Sequence, residues 1–283
     1  MNKLVLTALT AAALLLAACQ PSGAMRSITR GEEVYFNDFT QPASFEEGTY
    51  QGATLRVREG IYRIDVTVGD GTLWWGQYGE TRSDVVIDVD AEQISERPET
   101  LYGVMCRVRG TVGQAAAVDP TLAAIMADET AEPEATEAAE EATPEAEATE
   151  SAEEAAPEAE ATEAAAATES TAGDEPASGS GDGYLFLLDG NGNYAIMVAR
   201  GRSMTPLVNW TASDAINAVP GSNRIRAICV GDYLAMSVND TFLADTTDDT
   251  YREGQIGLAA GAANRLGVRV DFDNLSVALP EGS

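Results

Sequence analysis

The sequence predicts an all-β chain, a sandwich of two antiparallel sheets interrupted by a disordered acidic insertion. Three observations lead there. Apolar and polar residues alternate in many short runs. Pairs of Gly, Asn and Asp punctuate those runs, as at Gly231-Asp232 and Asn239-Asp240. Helical spacing is confined to residues 212–218, with Thr211 or Ser213 as the cap.

The elements follow in order. Leu55 and Val57 alternate with Arg56 and Arg58, and Tyr62, Ile64 and Val66 alternate with Arg63, Asp65 and Thr67. Val85, Ile87 and Val89 alternate with Val86, Asp88 and Asp90. Past the insertion, strands are expected over 184–188, 194–198, 225–230, 234–238, 255–258 and 268–277. In the last of these the apolar parity switches after Asp273. Val268, Val270 and Phe272 fall on one side, Leu275 and Val277 on the other, which predicts a β-bulge. Neither half, 33–114 or 183–279, is complete alone, so one sandwich built from both is expected. Two linked domains are the alternative.

Residues 115–182 hold 20 acidic residues and no basic or aromatic one. A loose repeat starts at Pro133, Pro144 and Pro157 and runs Pro-Glu-Ala, ending in Thr-Glu. Ala and Glu favour helix, but recurrent proline and like charges oppose it. Without an apolar face the tract cannot bury enough surface to fold, and it is expected as a solvated loop. Such an expansion is cheap, because each doubling of loop length costs only about 0.6 kcal/mol.

Lys3 and the apolar residues 4–18 read as an export signal, too short for a span of about 20 residues. Leu16-Ala17-Ala18-Cys19 resembles the bacterial lipobox. That resemblance implies cleavage after residue 18 and lipidation of Cys19. The mature chain would then be anchored to the membrane, facing outward, with 19–32 as anchor and linker and 280–283 as tail. An ordinary signal peptide with an incidental cysteine is the alternative. Export places the remaining Cys106 and Cys229 in an oxidising setting. Each shares a strand face with apolar neighbours, so both sulfurs point inward. A Cys106–Cys229 disulfide is expected, and two buried thiols are the alternative.

Composition excludes much chemistry. The chain has no histidine, which removes Ser-His-Asp triads and His-ligated zinc or haem. Its one lysine, Lys3, lies in the leader, which removes Schiff-base chemistry from the mature chain. A formal charge of −29 argues against nucleic acid as a partner.

The order of motifs in the second half carries a resemblance. It reads Leu207-Val-Asn-Trp210, Asn223-Arg-Ile-Arg-Ala-Ile-Cys-Val-Gly-Asp232, Gly254-Gln-Ile-Gly-Leu258 and Val270-Asp-Phe-Asp-Asn-Leu275. Asn37-Asp38-Phe39 stands near the start. This order resembles the concanavalin A-like lectin/glucanase jelly rolls, in particular the 3-keto-disaccharide hydrolase-like and family 16 glycoside hydrolase-like domains of bacterial lipoproteins. The resemblance implies a jelly roll over about 34–110 and 183–278. It also implies a structural calcium ion joining the first and last strands, with Asp38 and Asp273 at the matching positions. Such folds host lectins, glycosidases and structural modules alike, so the site must decide.

Three groups of residues are candidates. Asp84, Asp88, Asp90 and Glu92 share a strand face, and glycosidases need two carboxylates about 5–9.5 Å apart. Ile87-Asp-Val-Asp-Ala-Glu92 resembles the Glu-x-Asp-x-x-Glu strand of family 16 enzymes, with Ile87 in place of the nucleophilic Glu. That makes Asp88, Asp90 and Glu92 weak catalytic candidates, with a solvent-facing acidic edge as the alternative. Trp74, Trp75 and Tyr78 suit stacking on a sugar ring. Neighbouring strand residues face opposite ways, so one tryptophan should be core and the other exposed. The expected function is non-catalytic binding of carbohydrate or envelope glycan by a cell-surface lipoprotein. A glycoside hydrolase using strand carboxylates, and a structural lipoprotein with an acidic spacer, are the alternatives.

Overall fold

The computed structural model describes residues 26–67, 72–110, 116–117, 181–201, 203–262 and 267–282. The expected leader and Cys19 lie outside these residues, as does the expected insertion apart from its ends at 116–117 and 181–182.

The described residues form sixteen strands. The first half supplies β1 (Arg30–Asn37), β2 (Gly48–Thr49), β3 (Ala53–Arg58), β4 (Ile61–Val66), β5 (Thr72–Arg82), β6 (Val85–Gln93) and β7 (Thr100–Arg109). A two-residue β8 (Ala116–Ala117) follows, inside the stretch expected to be a solvated loop. The second half supplies β9 (Asp182–Asp189), β10 (Asn193–Arg200), β11 (Ser203–Ala212), β12 (Ser222–Val230), β13 (Tyr233–Val238), β14 (Thr241–Thr247), β15 (Gly254–Ala262) and β16 (Val268–Pro280).

All strand pairs are antiparallel. A nine-stranded sheet runs β14-β13-β12-β6-β16-β4-β3-β2, with β1 also on β16. A seven-stranded sheet runs β11-β10-β9-β7-β15-β5-β8. Each sheet interleaves strands from both halves: β6 lies between β12 and β16, and β15 between β7 and β5. One sandwich therefore forms from both halves, in the jelly-roll arrangement of two packed antiparallel sheets.

The main core lies between the sheets. Ile87, Val89, Ile225, Met236, Val270 and Phe272 of one sheet meet Tyr102, Val104, Phe186, Leu188, Ile196 and Leu258 of the other. The disulfide Cys106–Cys229 crosses this core and joins residues 123 apart in sequence. The parity switch in β16 is a bulge. Its register with β6 shifts between Asp273 and Ser276, and Asn274 takes φ 51°. The bulge also hands β16 from one neighbour to the next, since its first part pairs with β4 and its second with β1.

The helix expected over 212–218 does not form. The segment is a turn in which Ile216 N donates to Ser213 O at 3.1 Å. Asn223 of β12 explains why. Its Oδ1 accepts from Asn217 N at 2.8 Å and its Nδ2 donates to Asn217 O at 2.9 Å, so these groups are lost to a helical ladder.

A second apolar cluster lies on the opposite face of the seven-stranded sheet. Leu73, Trp75, Leu101, Met105, Leu185, Leu187, Met197 and Met204 are all buried there, and Trp210 packs partly against them. Strands of this sheet are therefore apolar on both faces, as in Tyr184-Leu-Phe-Leu-Leu188.

Candidate functional site

The acidic strand β6 places Asp88, Asp90 and Glu92 on the outer face of the nine-stranded sheet. Its cross-strand neighbours are cations. Arg226 sits opposite Asp88 and Arg224 opposite Asp90 in the β12 register. Arg226 Nε donates to Asp88 Oδ1 at 2.7 Å, and Arg30 Nε lies 3.4 Å from Asp88 Oδ2. Arg224 Nη1 donates to Asp90 Oδ1 at 2.7 Å, and Asn274 Nδ2 to Asp90 Oδ2 at 2.9 Å. Further along, Arg63 grips Asp271 with two hydrogen bonds of 2.6 Å, and Arg269 Nε donates to Asp65 at 2.5 Å. The face is a ladder of cross-strand ion pairs. Asp88 and Asp90 are thus engaged by guanidinium groups, and Glu92 is exposed.

The tryptophans are not the exposed platform expected of them. Trp75 is fully buried in the second apolar cluster, among Leu73, Met105, Leu185 and Met197. Trp74 points between the sheets and is half-buried, stacked on Tyr50 with centroids 5.5 Å apart. The two do face opposite ways, but neither stands free in water. Tyr78 does: it is 39% exposed. It shares the inward parity of Trp74 but lies towards the end of β5, next to Gly79 with φ 91°.

Tyr78 walls a cleft of about 630 Å³ at the seam between the sheets. Val34 and Tyr35 of β1, Gln77 to Glu80 and Arg82 of β5, Gln255 and Ile256 of β15, and Val277 of β16 line it. The Tyr35 ring lies 5.2 Å from that of Tyr78, and Phe45 lies 5.7 Å away on the same ring. Tyr35 Oη donates to Ser44 O at 2.9 Å and accepts from Asn37 Nδ2 at 2.8 Å. Burial pushes the Tyr35 phenol up to about 12, so it stays neutral.

Two amides fix the cleft wall. Gln77 Nε2 donates to Gln255 Oε1 at 2.7 Å and to Gly110 O at 3.0 Å, while Gln255 Nε2 donates to Gly79 O at 2.6 Å. Trp75 Nε1 donates to Gln77 Oε1 at 3.3 Å and ties this wall to the apolar cluster behind it. Glu80 at the rim pairs with Arg82 at 3.0 Å. Behind the wall, Glu46 accepts from Tyr50 Oη at 3.2 Å and from Gln77 N at 3.4 Å. Burial holds its carboxyl above the usual carboxylate range. The cleft therefore combines an exposed aromatic ring with a charged pair at its rim, the ingredients of a site for a polar ligand with apolar faces, while the Gln77 and Gln255 amides brace its wall from the Trp75 face of the sheet. Gln255, Tyr35 and Glu46 escape a reading of the sequence, because only the fold brings them beside Tyr78.

Asp38 and Asp273 come within electrostatic reach of one another. Asp38 Oδ1 accepts from Thr40 N at 3.1 Å and from Thr40 Oγ1 at 2.7 Å, which holds its pKa down. Asp273 accepts from Asn274 N at 2.6 Å, yet burial and the charges of Asp90 and Asp38 raise its pKa. Among the described residues, no group of three acidic or thiol side chains is arranged to hold a metal ion.

No protein-family model and no curated protein sequence matches this chain. Solved structures do. A Bacillus subtilis protein of unknown function with a galectin-like fold superposes with a TM-score of 0.52 at 14% identity, over 90% of this chain and 99% of its own. A GlcNAcα1-4Gal-releasing endo-β-galactosidase from Clostridium perfringens gives 0.50 at 10% identity, over 88% of this chain and 63% of its own. A Bacillus licheniformis β-glucanase gives 0.48 at 6% identity, over 88% of this chain and 98% of its own. The first two likenesses establish the fold alone: a galectin-like jelly roll of two antiparallel sheets.

Proposed function

We propose that this chain is an exported lipoprotein, held at the membrane through Cys19, whose jelly-roll domain binds carbohydrate in the Tyr78 cleft without cleaving it. The observation that carries the reading is the exposed Tyr78 ring, packed against Tyr35 over a cleft of about 630 Å³. An aromatic face stacks on the apolar face of a sugar ring, and the charged groups at the rim take its hydroxyls. The carbohydrate chemistry of the Clostridium perfringens neighbour, an endo-β-galactosidase, is in keeping with a glycan ligand here.

Binding is favoured over hydrolysis by the carboxylates. Glycoside cleavage uses a pair. Among the cleft-lining residues Glu80 is the single carboxylate, and it is paired with Arg82. Asp88 and Asp90 belong to the ion-pair ladder on a different face.

Leu16-Ala17-Ala18-Cys19 supports the anchor. Six residues lie between Cys19 and Arg26, and the seven peptide steps reach at most about 25 Å when extended. The domain would therefore sit close to the bilayer. Among the described residues, no helix is long and apolar enough to cross a membrane.

The test is a glycan array probed with the wild type and with Tyr78→Ala. Binding by the wild type alone supports the reading; equal binding by both, or by neither, refutes it. Loss of fatty-acid labelling in Cys19→Ser tests the anchor separately.

A further inference from the structure

The outer face of the nine-stranded sheet ends in an unbalanced charge. Register sets Glu92 of β6, Asp271 of β16, Arg63 of β4 and Arg56 of β3 in one row across it. Arg63 turns to Asp271, with two hydrogen bonds of 2.6 Å. Arg56 therefore stands opposite a guanidinium that is already committed, and like charges directly opposite on a sheet repel. On its other side β2 reaches only Gly48–Thr49, and Arg56 finds there a hydroxyl, Thr49 Oγ1, at 3.4 Å. Among the described residues, no carboxylate pairs with Arg56.

The surroundings carry the same sign. Arg56, Arg58, Arg63 and Arg269 line an open depression of about 380 Å³, with Thr54 and a single carboxylate, Asp65. Arg269 Nε already donates to Asp65 at 2.5 Å. Arg58 pairs with its neighbour Glu59 at 3.3 Å, and those side chains are 63% and 78% exposed, a pair that a ligand displaces at little cost. This gathering of guanidinium groups stands on a chain with a formal charge of −29. Charge on an edge strand deters strand addition. A carboxylate at position 56 would do that as well, and would also face Arg63 favourably. An arginine there is accounted for by an anion that the two guanidinium groups share.

We propose that this depression binds a phosphate-class oxyanion, carried by a phosphate-bearing polymer. Phosphate keeps its charge through the neutral range and accepts from several guanidinium forks at once. A polymer is favoured over a lipid headgroup by position. Arg269 lies near the start of β16, whereas the amino-terminal segment meets the other end, where Glu281 N donates to Thr29 O at 2.9 Å. Twelve residues of strand, roughly 35–40 Å, separate the two. This choice of source rests on the proposed anchor at Cys19; the oxyanion site itself does not. The Tyr78 cleft shares none of its residues, so the two sites stand or fall separately.

The test is titration calorimetry at low salt with long-chain inorganic polyphosphate, on the full chain carrying Cys19→Ser so that no lipid is attached. Arg56→Gln should weaken binding about tenfold. Arg252→Gln removes the same charge from a side chain that is 74% exposed elsewhere, and should weaken it less than twofold. Tyr78→Ala should leave it unchanged. Without polyphosphate, Arg56→Gln should melt about 1–2 °C above the parent, because the repulsion with Arg63 is relieved. Absence of binding, or equal weakening by Arg56→Gln and Arg252→Gln, would overturn the site. So would a lower melting midpoint for Arg56→Gln, which would make Arg56 a structural residue. Polyglutamate binding as tightly as polyphosphate would overturn the phosphate class. Tighter binding to phosphatidylglycerol vesicles than to polyphosphate would overturn the polymer as the source.

Discussion

Arg226 donates to Asp88 at 2.7 Å directly across the β12–β6 pair, and the Asp88 side chain is only 3% exposed. With Arg30 at 3.4 Å on its other oxygen, this carboxylate is the shared counter-charge of two guanidinium groups. Its place on an acidic strand face follows from the ladder.

Asp88→Ala would leave Arg30 and Arg226 facing each other without that counter-charge. Both are partly exposed, so water screens part of the loss. The expected cost is about 1–3 kcal/mol in urea unfolding, with Asp88→Asn costing less. Glycan binding by the folded variant should be unchanged, since the Tyr78 cleft lies on another face.

Tyr78→Ala should weaken glycan affinity about tenfold or more, as truncation of a central aromatic anchor does. Tyr78→Phe should retain most of the affinity, because it keeps the ring. Trp74→Ala should show the reverse pattern. It removes a half-buried ring stacked on Tyr50 and should lower the melting midpoint while leaving affinity near wild type. Titration calorimetry beside thermal unfolding separates the two effects.

Cys106–Cys229 closes a loop of 123 residues, worth about 5 kcal/mol in the chain-entropy model. Reduction, or Cys106→Ser with Cys229→Ser, should lower the urea midpoint accordingly. Proteolysis within 128–180 should give two pieces that stay joined on a non-reducing gel. In solution they should remain together even after reduction, because each sheet interleaves strands from both. Size-exclusion chromatography of the nicked, reduced protein checks this.

Much of the sandwich was legible because alternation marks a strand with one wet face. Val85, Ile87 and Val89 read correctly on that basis, and so did the parity switch at Asp273. The seven-stranded sheet was less legible. Trp74 and Trp75 are both sheltered, so adjacency on a strand did not translate into one wet ring and one dry one. The cleft was legible only at Tyr78. Gln77 and Gln255 are 178 residues apart and meet only through the β5–β15 pairing. Asp88 likewise showed its acidity in the sequence but not the arginine 138 residues away that faces it.

Asp273 yields a pH prediction. Burial, with Asp90 and Asp38 nearby, raises its folded pKa above the unfolded value. Its ionised form therefore opposes folding at neutral pH, and that cost fades as pH falls through the folded pKa towards the unfolded one. Asp273→Asn should melt higher than the wild type at pH 7, and the gap should close as pH approaches 4. If calcium joins Asp38 and Asp273, added calcium should raise the wild-type midpoint and narrow the gap at pH 7. A calcium titration monitored by thermal unfolding checks both outcomes.

Strand β16 is the last of the described strands in sequence, yet it sits inside the larger sheet, with β6 on one flank and β4 and then β1 on the other. A polypeptide made from its amino end cannot complete that sheet until β16 has left the ribosome. Until then β1, β4 and β6 lack their common neighbour.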